Sequence, residues 1–209
     1  MRRFLILAHR VPTGGAFTLN DLAGGAGRMD EVARAVSTAF TLSNDLRRDT
    51  EVTVLFVAEP APRARRIDLD GGRLRFLNPD ERSTAALLKN ALVRSADFPR
   101  PFESSPGLTV APAEPSEVVR EFLARPNPVW LREDGLRIED WPSPGGHIAA
   151  VVSDPYDPTP AERELLVSSG VARVRVSPRS LRTSQVIDLV HHELDLRDAG
   201  RGSASAPGA

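Results

Sequence analysis

The chain has 209 residues, 41% hydrophobic and 26% charged, enough apolar material for a buried core and far from the composition of a disordered chain. Its 27 Lys plus Arg nearly cancel 28 Asp plus Glu, so at net charge -1 no global field draws it to nucleic acid or a membrane, and such contacts need a local patch. With no cysteine, disulfides, thiolate metal sites and a cysteine nucleophile are excluded; Lys89 is the only lysine, so the positive charge is arginine, which grips phosphate or carboxylate bidentately.

The opening MRRFLILAHR has an apolar run ending at His9, too short for a secretory signal, and reads as a strand over Phe4–Ala8 buried on both faces. No stretch approaches the roughly 18 to 20 apolar residues of a membrane span, which predicts a soluble, cytoplasmic protein. A Gly-rich loop follows, then a helix over RMDEVARAVSTAFTLS with Val32, Ala35, Val36, Ala39, Phe40 and Leu42 at helical spacing. Val52–Ala58 reads as a second buried strand, and the segment at about 65–76 as a hairpin turning at Asp70, Gly71 and Gly72. Asn78 to Arg82 opens a helix carrying Ala86, Leu87, Ala91 and Leu92, and a long loop, DFPRPFESSPG, leads to a strand at Leu108–Ala111. A helix at Ser116–Ala124, with Ser116 as its cap, precedes strands at Val129–Leu131, His147–Val152 and Val171–Val176. Helices at about Ala161–Ser168 and Thr183–Leu194 complete the pattern. Alternating strands and helices predict an α/β fold, a mostly parallel sheet flanked by helices, in one domain over 1–197, with a disordered tail at 198–209.

GGAGR at Gly24–Arg28 meets a helix start, where free N–H groups and Arg28 suit a phosphate, although a plain tight turn has the same signature. It lacks the Lys-Ser/Thr of a P-loop and the third glycine of a dinucleotide site. Asp21, Arg28, Asp30 and Arg34 cluster around that loop; Asp30 and Arg34 suit either an i,i+4 ion pair or a substrate-facing pair. Arg82, Ser83 and Thr84 stand at a helix start, as phosphate contacts or as a cap. His9, His147, His191 and His192 are scattered, without metal spacing, and read as structural or surface groups; no serine-hydrolase elbow is present.

Six segments taken together resemble one family. They are DLAGGAGRMDEVARAVSTAFTLSNDLRRD (21–49), LNPDERSTAALLKNAL (77–92), ESSPG (103–107), LREDG (131–135), the SDP turn at Ser153, and SLRTSQVIDLVHHELD (180–195). The family is the archaeal-type tRNA pseudouridine-54 N1-methyltransferases of the SPOUT, or α/β knot, superfamily. The resemblance implies a C-terminal trefoil knot, an obligate homodimer, no metal, and three loops that bind S-adenosylmethionine. Those loops map to Leu131–Gly135, Ser153–Asp157 and Val176–Ser184, with Leu131, Gly135, Ser153, Asp154, Val176, Ser180, Leu181 and Val186 as the cofactor contacts. Two departures stand out: Val186 takes the place of a cysteine common in the family's LHASQC-like pattern, and Ser177-Pro178 stands where Gly-Pro is common.

In pseudouridine the glycosidic bond leaves from C5, so N1 carries a proton that must be lost as the methyl arrives. By position in the matching segments, Asp30 or Asp21 is expected to act as base or orient the ring, while Arg28 and Arg82 hold phosphate or developing charge. A tRNA partner would be met by a basic strip for which Arg47, Arg48, Arg63, Arg65, Arg66 and Arg73 are candidates, and Arg65, Arg66 and Arg73 suit a solvated face equally. The alternatives are methylation at another RNA position or of a pseudouridine-like nucleoside, and a non-catalytic RNA- or cofactor-binding dimer.

Overall fold

The computed structural model describes residues 1–57, 64–96, 98–143 and 146–204. Its organising element is β1 (Arg2–Ala8), a strand whose two faces are both apolar. Phe4, Ile6 and Ala8 point into one core, shared with α1 (Met29–Phe40), α2 (Glu81–Ser95) and α5 (Thr183–Ala204). Leu5 and Leu7 point into a second, shared with α3 (Pro115–Leu123) and α4 (Pro160–Ser168). Full burial of each such side chain stabilises by about 1.5 to 3 kcal/mol, which fixes the strand at the centre of a helix–sheet–helix sandwich.

The sheet has eight strands in the order β4-β5-β3-β2-β1-β7-β6-β8. β1 pairs in parallel with β2 (Thr50–Phe56) and β7 (Ile148–Ser153), β7 with β6 (Pro128–Arg137), and β6 with β8 (Ala172–Arg175). Beyond β2 the sheet turns antiparallel through β3 (Arg65–Asp70), β5 (Leu108–Pro112) and β4 (Phe102–Ser105). It is therefore a mixed sheet, its parallel half being the one that runs to β8.

The hairpin expected at 65–76 does not form. After Asp70 the chain turns, with Arg73 N–H and Leu74 N–H donating to Asp70 O, and the free edge of β3 is taken by β5. Gly71 serves a close approach instead of a hairpin turn, since a Cβ there would lie 2.2 Å from Arg47 O. The hairpin lies further on: the long loop at 97–107 contains β4, joined to β5 through Pro106 and Gly107, the latter at φ +77°.

Other boundaries move as well. α3 is capped by Glu114, which accepts from Glu117 N–H at 2.8 Å, with Pro115 pre-set for the first turn, so Ser116 is already helical. β6 extends to Arg137 because a bulge interrupts it: Leu131 and Leu136 both lie opposite Val174, and the chain between them bows out of the ladder. α5 continues to Ala204, so the tail expected to be disordered from 198 is helical to that point; 205–209, and Ala58 of the second strand, lie outside the described residues.

The N-terminal end of β1 is closed by α5. Arg2, with a side chain 4% exposed, meets Asp195 at 2.6 Å, Asp198 at 3.3 Å and Asp49 at 3.4 Å. Its Nη1 also donates to His191 Nδ1 at 3.1 Å, while His191 Nε2–H donates to Ala39 O at 3.1 Å. Burial first, and then the charges of Arg47 and Arg2, push His191 down to about 3, so the ring is neutral. Burial alone would raise the Asp195 carboxyl, but hydrogen bonds from Arg47 and Arg2 hold it down at about 2. No helix among the described residues is long and apolar enough to cross a membrane.

Candidate functional site

At the carboxyl ends of β6, β7 and β8 the sheet opens into a cavity of about 510 Å³, where open α/β sheets place their ligands. Three loops build it: 130–133 at the β6 bulge, 152–158 after β7, and 175–183 between β8 and α5. Val186 of α5 closes one side, and Arg28 and Glu31 at the start of α1 close another.

Of the expected cofactor contacts, Leu131, Ser153, Asp154, Val176, Ser180, Leu181 and Val186 all line this cavity. Gly135 does not. It sits at the end of the bulge, where a Cβ would lie 2.5 Å from Arg173 C and Val174 N, so its lack of a side chain lets β6 rejoin β8.

The middle loop is held by a buried network. Asp154 accepts from His9 N–H (2.8 Å), His9 Nδ1 (2.8 Å) and Tyr156 N–H (3.1 Å). Glu162 Oε2 accepts from His9 Nε2 (3.0 Å), Thr159 N–H (2.8 Å) and Thr159 Oγ1 (2.9 Å); the Thr159 N–H bond, with Glu162 N–H donating to Thr159 Oγ1 at 3.3 Å, forms the capping box of α4. Burial alone would lower His9, but its hydrogen bonds to Asp154 and Glu162 outweigh that and raise it to about 9, so the ring is an imidazolium at neutral pH. The Ser153 hydroxyl donates to Tyr156 O, and the Thr183 hydroxyl donates to Ser153 O, tying the loop to α5. The Asp154 carboxylate thus faces the cavity wall but spends its oxygens on holding the loop.

At the α1 side, Arg28 caps the helix in the left-handed region at φ 69° and ψ 33°, a conformation costing a non-glycine residue about 1 kcal/mol or more. Gly27 before it is also left-handed and so close to Arg10 that a Cβ would lie 2.0 Å from Arg10 O. The strained turn aims the Arg28 guanidinium back over α1, where Nε and Nη2 meet both Asp30 oxygens at 2.9 and 2.8 Å, and Nη2 meets Glu31 at 2.9 Å. Burial raises the Asp30 carboxyl, but the Arg28 hydrogen bond and charge overcome this and leave it low. Glu31, 4% exposed, also meets Arg34 at 3.0 Å and lies 3.8 Å from Arg182. Arg34 reaches on to Glu81 at 2.6 Å, so the expected Asp30–Arg34 pair, at 4.0 Å, is the weakest link of this chain of charges.

Asp21 and Arg82 are not brought to the cavity. Asp21 accepts from Gly24 N–H and Gly25 N–H, which lower its carboxyl and make it the hinge of the Gly-rich loop. Arg82 donates to Leu19 O and Asn20 Oδ1, bracing the same loop from α2. The expected basic strip is largely paired: Arg47 with Asp195, Arg48 with Asp45, Arg66 with Asp68 and Glu121, Arg73 with Glu103. Arg65 donates to Ser95 Oγ, and Arg63 lies outside the described residues. The cavity margin carries a different set, Arg175, Arg179 and Arg182, with Arg10 stacked 3.9 Å from the centre of the Tyr156 ring.

Glu31 and Glu162 are not singled out in the sequence, His9 reads there as a structural or surface group, and Tyr156 and Arg182 are reached only as members of the loops mapped at 153–157 and 176–184. For His9 a signal exists: it directly follows a buried parallel strand, at the edge where such sheets hold ligands.

Residues 1–199 match the family described as "Putative SAM-dependent RNA methyltransferase". The chain is similar to the tRNA (pseudouridine(54)-N(1))-methyltransferase of Methanosarcina mazei, at 37% identity over 202 residues covering 97% of this chain and 94% of that protein. It is similar to the protein of the same name from Methanocella arvoryzae at 38% identity over 197 residues, covering 94% of this chain and all (100%) of that one. Among solved structures, Nep1 of Archaeoglobus fulgidus bound to S-adenosylhomocysteine shares the fold, with a TM-score of 0.57, 15% identity, and coverage of 95% of this chain and 98% of that one.

Proposed function

The chain belongs to the SAM-dependent RNA methyltransferase family that includes the archaeal tRNA (pseudouridine(54)-N(1))-methyltransferases, and from that premise we propose that it methylates N1 of pseudouridine at position 54 in the tRNA T loop. The observation that carries this reading is the meeting of three strand-end loops with the Arg28 corner in one cavity.

The residues suit the cofactor. A volume of about 510 Å³ falls within the roughly 300 to 1,000 Å³ of small-molecule sites. Leu131, Val152, Val176, Leu181 and Val186 offer an apolar wall for an adenine ring, while Ser153, Ser180 and the arginines offer polar partners for the sugar and carboxylate. When bound, S-adenosylmethionine supplies an electrophilic methyl group. Arg28 lines the α1 side of the cavity, and in this reading its fixed guanidinium would stabilise the negative charge that spreads over the uracil ring as the N1 proton leaves. Asp30 orients Arg28, and Glu31 is the carboxylate on that wall available to the departing proton. Arg10, Arg175, Arg179 and Arg182 would meet RNA phosphates at the margin, with the base turned out of its stack to enter.

The same reading includes a cytoplasmic homodimer formed as one SPOUT domain. Exposed Leu189 and Leu196, seven residues apart and so on one face of α5, support a dimer face. The β7-β6-β8 order, with β7 and β8 laid on opposite sides of the earlier strand β6, supports a knotted crossing of the loops that follow.

Incubation with methyl-labelled S-adenosylmethionine and a pseudouridine-containing T-loop transcript tests the reaction: label at N1 is expected, and label at another atom, or none, contradicts it. Within the site, Asp30→Asn is expected to lower kcat about a hundredfold with S-adenosylhomocysteine affinity preserved, and unchanged turnover contradicts the orienting role.

A further inference from the structure

His9 stands one residue past β1, at the edge of the sheet that holds the cavity but outside the cavity lining. Its ring bridges two carboxylates that are themselves out of solvent, Asp154 at the end of β7 with a side chain 0% exposed and Glu162 on α4 with a side chain 5% exposed. A neutral imidazole has one N–H and can satisfy one carboxylate; donating to both requires the doubly protonated ring. Among the described residues no other cation is paired with either carboxylate. The remaining donors to Asp154 and Glu162 are uncharged: the backbone N–H groups of His9, Tyr156 and Thr159 and the Thr159 hydroxyl. The second Glu162 oxygen, Oε1, is buried without a partner among the described residues, so this carboxylate relies on the histidine.

The consequence reaches the cavity through Asp154. The same carboxylate that accepts from the His9 ring accepts from Tyr156 N–H, and the turn it closes, with Ser153 bonded to Tyr156 O and Thr183 bonded to Ser153 O, forms the cavity's middle wall. Without the cation, two buried carboxylates and a lone-pair-bearing ring nitrogen would face one another, and this turn would have to open to admit water.

We propose that His9 is a positioning residue: as an imidazolium clamped between Asp154 and Glu162 it sets the 153–157 loop in its ligand-binding form, so that loss of its proton weakens cofactor binding. This rests on the cofactor reading of the cavity given above. The groups that face the ring are Asp154 from β7 and Glu162 from α4, with Tyr156, stacked under Arg10, one turn away in the loop. The raised titration of His9, to about 9, places the change on the alkaline side.

The test is calorimetric titration with S-adenosylhomocysteine between pH 7 and 10 for the wild type, Glu162→Gln and His9→Gln, each checked for folding by its thermal melt. The ligand's own amine titrates alike in all three, so differences between proteins isolate His9. Wild-type affinity is expected to fall about tenfold as pH rises through the His9 range, a coupling of ordinary size between a protonation and a binding site. Glu162→Gln removes one of the two anions that hold the proton, so its fall is expected at lower pH; His9→Gln is expected to be weak already at pH 7 and to lack the fall. A midpoint unmoved by Glu162→Gln, or folded His9→Gln with wild-type affinity at pH 7, overturns the proposal. A wild type that binds no S-adenosylhomocysteine even at pH 7 overturns the cofactor reading itself, and differs visibly from binding that is present but indifferent to His9.

Discussion

The two ends of β1 each bury a histidine among carboxylates, and they hold those histidines in opposite charge states. At the N-terminal end burial, with the charges of Arg47 and Arg2, keeps His191 neutral; Arg2 supplies the positive charge to Asp195 and Asp198, and the ring serves as a shaped hydrogen-bonding spacer between Arg2 and Ala39, packed edge-on to Phe4 at 5.2 Å. At the C-terminal end Asp154 and Glu162 have no arginine between them, and His9 becomes the cation. Arginine keeps its proton at any pH a protein survives, so the first cluster is a permanent anchor, whereas the second can be released by pH. The permanent anchor lies under α5, away from the cavity, and the releasable one holds a cavity loop.

That contrast can be broken first at its stronger end. Arg2→Ala removes a buried guanidinium that serves Asp49, Asp195, Asp198 and His191 at once; with charge-assisted hydrogen bonds worth about 1.5 to 3 kcal/mol each it is expected to destabilise the fold by about 4 kcal/mol, read from a denaturant midpoint, while the folded fraction keeps its S-adenosylhomocysteine affinity. His9→Ala is expected to cost about 3 kcal/mol and to weaken that affinity as well, so that only the second variant couples stability to binding. At the cavity's other wall, Gly135→Ala drives a methyl group into the β8 backbone and is expected to cost about 2 kcal/mol, with ligand affinity falling as β6 and β8 part. Arg66→Ala, which removes the ion pairs from β3 to Asp68 and to Glu121 of α3, is expected to change stability by about 0.5 kcal/mol and ligand affinity not at all.

The pH dependence sharpens the same contrast. His9 is raised in the folded state, so its contribution is complete below its unfolded value of 6.5 and is lost as pH rises through about 9. His191 is lowered, so its contribution is complete above 6.5 and is lost as pH falls toward 3, a limb to which Asp195, held at about 2, adds at its acid end. A melting curve across pH should therefore fall on both sides of neutrality; His9→Gln should flatten the alkaline limb and leave the acid limb in place, and an alkaline fall that persists unchanged in that variant would contradict the assignment.

Much of the parallel half was legible in the sequence because burial on both faces leaves unbroken apolar runs, as in Phe4–Ala8 and Ile148–Val152, whose side chains reach opposite cores. The antiparallel half was less so. Asp70-Gly71-Gly72 carries the composition of a hairpin turn, yet those glycines answer to a backbone approach from Arg47 that only the tertiary fold creates. The cofactor loops came from the resemblance, and the cavity gathers all of their expected contacts except Gly135, whose need for no side chain arises from β8. Asp21 and Asp30 look alike in sequence, but one is consumed by two loop N–H groups and the other by Arg28. The His9 clamp joins positions 145 and 153 residues apart, a distance no local pattern spans.

The most direct measurement of the central claim is methyl transfer from S-adenosylmethionine to two tRNA transcripts that differ only in carrying pseudouridine or uridine at T-loop position 54, with the product nucleoside identified by mass spectrometry. N1-methylpseudouridine from the first and no product from the second is the predicted result. Methylation of both transcripts, or of neither while S-adenosylhomocysteine still binds, would contradict the account.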